Sequence, residues 1–141
     1  MTVATAVAAI AAVVDGVSGV TLAPTYPRET MNESPFAVTY VITGEIDIGP
    51  IGTRKSLLSI AIDLLIPRRD IALDMETLLP FVDSIPNALL SEVSTGGDVF
   101  SGTISTFEFL SIEFIPQADY GGAQYIGYRF LMNNVKLLIS L

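Results

Sequence analysis

Glu45 and Asp47 stand two residues apart in a strand-like stretch. That spacing turns both carboxylates to one face of a strand, within reach of Asp63 or Arg54 across a hairpin. Two carboxylates on one face suit general acid–base chemistry or a hard cation, and the plainer alternative is a solvated acidic rim. The other residue types give such chemistry little support. The chain has neither histidine nor cysteine, which removes the commonest general base, thiol nucleophiles, disulfides and thiolate metal sites. Serine and threonine are plentiful, but Lys55 and Lys136 are the only amine bases, so no activated hydroxyl is expected. Gly49-Pro50-Ile51-Gly52 and Gly121-Gly122 fit neither a phosphate-binding loop nor a dinucleotide fingerprint, and no calcium-hand pattern occurs. The expectation is no catalytic residue, no cofactor and no metal.

The basic residues are few. Arg54-Lys55 and Arg68-Arg69 are the only basic pairs, too few for a salt-dependent grip on phosphates. With Arg28 and Glu29 they are expected at subunit or partner contacts, where the planar fork of arginine meets carboxylates bidentately. The alternative is ordinary solvated arginine, with Arg68 and Arg69 at the N-terminal corner of a helix. Arg129 differs, because it falls in the middle of a strand and so must face water or a partner. With Asp63 and Glu108 it suggests a polar, paired sheet face. Glu45, Asp47, Asp63 and Glu108 are therefore read together as an acidic channel or a paired face.

The elements that must hold these residues follow from composition and period. The 141 residues correspond to one domain, residues 1–141, half of them hydrophobic, with a mean hydropathy of +0.57 and a formal charge of −8. Such a chain packs rather than remaining disordered, and an acidic balance argues against binding nucleic acid. Residues 1–14 are uncharged and apolar, but no basic residue precedes Arg28, and the run is too short to span a bilayer. It is read instead as an alanine-rich helix over residues 2–17, with Thr2 as N-cap and Val3, Val7, Ile10, Val13 and Val14 along one stripe. Residues 19–35, with three prolines, are expected to form an extended arm or interface loop outside regular structure.

Residues 36–43 and 54–66 alternate as the strands of a long hairpin. Leu58, Ile60, Ile62, Leu64 and Ile66 form its core face; Leu57, Ser59, Ala61, Asp63 and Leu65 form a mixed second face. Residues 70–92 carry a helical stripe that Pro80 and Pro86 are expected to kink or break into two short helices. Residues 103–115 and 124–139 make a second hairpin around a loop at 116–123. The fold expected is α+β, in the order α-β-β-α-β-β. Its four-stranded, mainly antiparallel sheet of two hairpins carries two helices packed on one face.

That order, the arm after the first helix, and three stretches of sequence resemble a family. They are Ile66-Pro67-Arg68-Arg69-Asp70-Ile71-Ala72-Leu73-Asp74-Met75, then Leu79-Pro80-Phe81-Val82-Asp83-Ser84-Ile85-Pro86-Asn87-Ala88-Leu89, and the closing Tyr125-Ile126-Gly127-Tyr128-Arg129-Phe130. Together they look like the tail terminator proteins of long, non-contractile-tailed bacteriophages, on architecture and texture rather than a strict motif. The resemblance implies a structural, non-enzymatic virion protein, made in the host cytoplasm and placed at the head-proximal end of the tail. It implies a homo-hexameric ring that caps the tail tube, stops its polymerisation and docks the head connector. Its partners would be further copies of itself, the tail tube protein and a head-completion protein, with no membrane. Six copies would carry −48, an acidic channel through which DNA passes without sticking. The alternatives are a head-completion connector, a tail tube subunit, or a small ligand-binding α+β domain with a pocket between helix two and the sheet.

Overall fold

A computed structural model describes residues 3–25, 34–48, 54–94, 104–106 and 109–137. Its elements are α1 (Val3–Asp15), β1 (Phe36–Ile48), β2 (Arg54–Pro67), α2 (Ile71–Ser94), β3 (Ile104–Thr106), β4 (Phe109–Tyr120) and β5 (Ala123–Leu137). The strands lie in the order β1-β2-β5, with β3 and β4 both on the free side of β5 and every pairing antiparallel. Since β3 and β4 follow one another along β5, the sheet has four lanes, and the α-β-β-α-β-β order of an α+β fold holds.

Both helices cover one sheet face. α1 buries Ala6, Val7, Ile10, Ala11 and Val14, and α2 buries Leu78, Phe81, Ile85 and Leu89. They meet Leu58, Ile60, Ile62, Leu64 and Ile66 of β2 and Ile126, Phe130 and Met132 of β5 in one apolar cluster. The alternation in β2 thus sets which face carries the helices, because one strand turns successive side chains to opposite sides. Thr2, the expected N-cap of α1, lies outside the described residues.

α2 runs as a single element through Pro80 and Pro86; of the two expected outcomes, a kink or a break into two short helices, the break does not occur. Each proline removes one backbone donor at a cost of about 3 kcal/mol. Leu78, Phe81, Ile85 and Leu89 are buried on both sides of each proline, and burying one such side chain gains about 1.5–3 kcal/mol. The start of α2 is firmly capped. Asp70 Oδ1 accepts from Ala72 N at 3.0 Å and Leu73 N at 3.4 Å, and Asp74 Oδ2 accepts from Arg69 N at 2.9 Å.

Three strand boundaries depart from expectation. β1 continues past Gly44 to Ile48 beside β2, with a register shift between Val41 and Thr43. β4 continues through Pro116 to Tyr120, where a loop at 116–123 was expected. Pro116 is accommodated because β4 is an edge strand with a register shift between Ile115 and Ala118. The turn shrinks to Gly121 and Gly122, whose positive φ values of 56° and 81° suit a tight two-residue hairpin. The arm is also partly regular: Ala37 N donates to Leu22 O at 2.9 Å and Thr39 N to Pro24 O at 3.1 Å. Leu22 bridges Phe36 in parallel fashion, so residues 21–24 lie along the outer side of β1.

Candidate functional site

The second sheet face holds the polar residues that the sequence brings into question. At one end, Phe36 of β1 packs edge-on against Tyr125 of β5 and Tyr120 of β4, with ring centroids 5.1 and 5.8 Å away. Flat lanes about 4.8 Å apart would hold β1 and β4 roughly 14 Å from one another. Contact between their rings means that this end of the sheet curls inward over Val38, Leu65 and Tyr125. Gly127 permits the curl, since a Cβ there would overlap the Leu64 carbonyl oxygen.

Next along this concave face lies a cross-strand row. Val38 stands opposite Asp63, Asp63 opposite Arg129, and Arg129 opposite Glu113. Arg129 Nε donates to Asp63 Oδ1 at 2.9 Å and Arg129 Nη2 to Oδ2 at 3.2 Å, a bidentate pair. Tyr40 joins both: its hydroxyl donates to Asp63 Oδ2 at 2.5 Å and accepts from Arg129 Nη2 at 2.9 Å. Asp63 is buried, whereas the Arg129 side chain keeps 33% exposure. The Asp63 hydrogen bond raises the Arg129 guanidinium pKa above its ordinary value against the opposing effect of burial. Burial first, and then the Asp63 hydrogen bond, push the Tyr40 phenol well above its usual range. Burial likewise raises Tyr120.

Every oxygen of the Asp63 carboxylate is engaged, so this network locks strands together and offers no free base. Among the described residues, no group of three or more acidic, histidine or cysteine side chains could hold a metal. A small cleft of about 230 Å³ beside the start of α2 brings Arg69 and Asp74 together, and the two grooves along α1 carry one ionisable side chain each, Glu92 and Asp15. An open groove of about 570 Å³ between α1 and α2 is lined largely by Ala9, Ala12, Gly16, Ser84 and Ala88. A second, of about 340 Å³, lies between α1 and residues 22–25.

The structure brings only some of the sequence-derived residues together. Arg129 and Asp63 meet. Glu45 does not approach Asp63: it stands opposite Leu57, while Asp63 stands opposite Val38 near the other end of β1. Asp47 stands opposite Lys55 and Ile48 opposite Arg54, so Lys55, not Arg54, is the cross-strand neighbour of Asp47. Arg68 Nη1 donates to Gln117 Oε1 at 3.3 Å, and Arg69 is exposed at the α2 corner. Arg28, Glu29 and Glu108 lie outside the described residues. Tyr40 and Glu113 were overlooked, although Glu113 shares the alternation of Phe109 and Ser111 and Tyr40 that of Phe36 and Val38.

A different feature stands out on the surface. Ile71, Leu73, Leu79 and Leu90 of α2 and Ile46 of β1 are each at least half exposed, with Val41, Ile42, Met75 and Ile112 also open. Among the described residues no helix is long and apolar enough to cross a membrane. No protein-family model matches the chain, and no curated protein matches it significantly.

Proposed function

We propose that this chain is a structural subunit of a phage tail. In this reading, copies close into a ring, six in the expected form, that caps the tail tube, ends its polymerisation and presents a docking surface to the head connector. The observation that carries the reading is the exposed apolar flank of α2, where Met75, Leu79 and Leu90 share one side of the helix, with Leu79 55% and Leu90 50% exposed. Soluble monomers rarely leave a contiguous apolar patch of this kind uncovered. A chain without histidine or cysteine, whose buried carboxylate Asp63 is fully paired with Arg129 and Tyr40, suits assembly better than turnover. Closed cyclic symmetry would satisfy every such surface within the ring, and the surplus negative charge would keep a passing DNA backbone from adhering.

Native mass spectrometry and negative-stain microscopy of the purified protein test the proposal. Discrete closed rings are expected. Long tubes would identify a tube subunit instead, and a monomer persisting at high concentration would overturn the ring.

A further inference from the structure

The helical layer ends before the sheet does. α1 packs against β1 and α2 against β5, while β4 lies beyond β5 on the side away from β2. Leu110, Ile112 and Phe114 of β4 stand opposite Met132, Phe130 and Tyr128 of β5, so they turn to the helix-covered side. Phe130 is fully buried, yet its cross-strand neighbour Ile112 keeps 43% exposure. The cover therefore stops between these two lanes.

α2 forms the wall of this step. At about 100° per residue, Leu78, Phe81, Ile85 and Leu89 point to the sheet, and Ser84 and Ala88 point to α1. Met75, Leu79, Val82, Pro86 and Leu90 fall on the opposite flank, within an arc of about 80°. That flank overlooks β4, because α1, α2 and β4 follow one another across the sheet. Met75, Leu79 and Leu90 are exposed, and Val82 and Pro86 are partly so. From Met75 to Leu90 the stripe runs about 22 Å, with the apolar side chains of β4 as its floor.

The border of the stripe is acidic. Glu76 and Asp83, two turns apart and both exposed, lie beside it on the side turned away from the sheet. Along its 24 residues α2 has no lysine or arginine. A second copy offers no match by helix: its α2 would set acid against acid, and the only charge on α1 is Asp15. A strand added at the β4 edge would lie in the plane of the sheet and leave the α2 stripe bare. A helix beside α2, at the usual spacing of about 8–10 Å, covers the stripe and Ile112 together.

We infer that this step receives an amphipathic helix of a different protein, with an apolar stripe matched to α2 and with lysine or arginine side chains that meet Glu76 and Asp83. Apolar burial supplies the attraction, and the charges select the partner. The inference rests on the reading of this chain as an assembly protein. It assigns the α2 flank to the docking surface rather than to a contact between copies.

Two designed helical peptides of about 18 residues test it by fluorescence anisotropy. They share one leucine stripe; one carries lysine beside the stripe and the other glutamate. The lysine peptide is expected to bind saturably, at least tenfold more tightly than the glutamate peptide, and to weaken as salt rises from about 0.05 to 0.5 M. Leu79→Lys and Ile112→Lys should each reduce that binding at least tenfold while circular dichroism remains that of the folded chain, since both side chains are exposed. Glu76→Lys combined with Asp83→Lys should reverse the preference toward the glutamate peptide. The charge of the whole chain cannot produce that reversal, because the double variant remains acidic overall. Equal binding of the two peptides, or lysine-peptide binding that survives Leu79→Lys, would overturn the inference. Rings that no longer bind the peptide would place the flank between copies and overturn the inference while leaving the ring standing. Peptide binding by a protein that stays monomeric would uphold the docking site and overturn the ring.

Discussion

Arg129 Nε and Nη2 reach both carboxylate oxygens of Asp63, at 2.9 and 3.2 Å, although 66 residues of chain separate the two. The pair ties β2 to β5 in the middle of the sheet, and Tyr40 extends it to β1. Breaking half of a buried pair leaves its partner charged without compensation, at about 3–5 kcal/mol. Because Arg129 touches water, Arg129→Met is expected to cost about 2 kcal/mol, read as a lower urea midpoint with an unchanged slope. Adding Asp63→Leu should recover at least half of that loss, because two apolar groups replace a desolvated pair. A double variant no more stable than Arg129→Met would show that the network contributes more than compensation.

Tyr40 makes stability depend on alkaline pH. In an unfolded chain its phenol ionises near 10; in the fold, burial and the Asp63 hydrogen bond hold the proton to higher pH. The stabilisation is therefore complete below pH 10 and is lost as pH climbs from there toward the folded-state value. Urea melts at pH 8, 10 and 11 should show stability falling only above about pH 10. Tyr40→Phe is expected to flatten that fall and to cost about 1 kcal/mol at pH 8 from the lost hydrogen bond.

Thr39 sits on the core face of β1, fully buried, and its Oγ1 has no hydrogen-bond partner. A buried hydroxyl left in that state costs about 1–3 kcal/mol. Thr39→Val keeps the branched shape and removes the orphaned group. It is expected to stabilise the fold by about 1 kcal/mol, raising the thermal midpoint by a few degrees. A lower midpoint would mean that the hydroxyl has a partner in solution.

Short-range pattern carried much of this architecture. The alternation of Leu58, Ile60, Ile62, Leu64 and Ile66 set the helix-covered face, and a charge in the middle of a strand marked Arg129 as needing a partner. Asp63 was visible as the acid on the mixed face of β2. The rest depended on long-range register, which local pattern does not encode. The hairpin register sets Asp63 opposite Val38 and Glu45 opposite Leu57, so Glu45 never approaches Asp63, and shifts at Val41/Thr43 and Leu58/Ile60 further change which residues of neighbouring strands stand opposite. Glu113 is the acid opposite Arg129, an assignment that needs the pairing of β4 with β5. The curl that joins Phe36 to Tyr120 is likewise invisible to any single strand.

Pro80 and Pro86 tested local propensity against packing most directly, and packing prevailed. The helix nonetheless continues at a cost, since each proline leaves the carbonyl four residues earlier, at Glu76 and Val82, without its helical donor. Pro80 is exposed, so replacing it removes little buried surface. Pro80→Ala should regain most of the roughly 3 kcal/mol that an interior proline costs. Against this, alanine gives the unfolded chain more freedom, worth about 0.4–1 kcal/mol in the other direction. The net expectation is a gain of about 2 kcal/mol, measured as a higher urea midpoint. A loss of stability would mean that the proline fixes a bend on which the seating of Leu78 and Phe81 against the sheet depends.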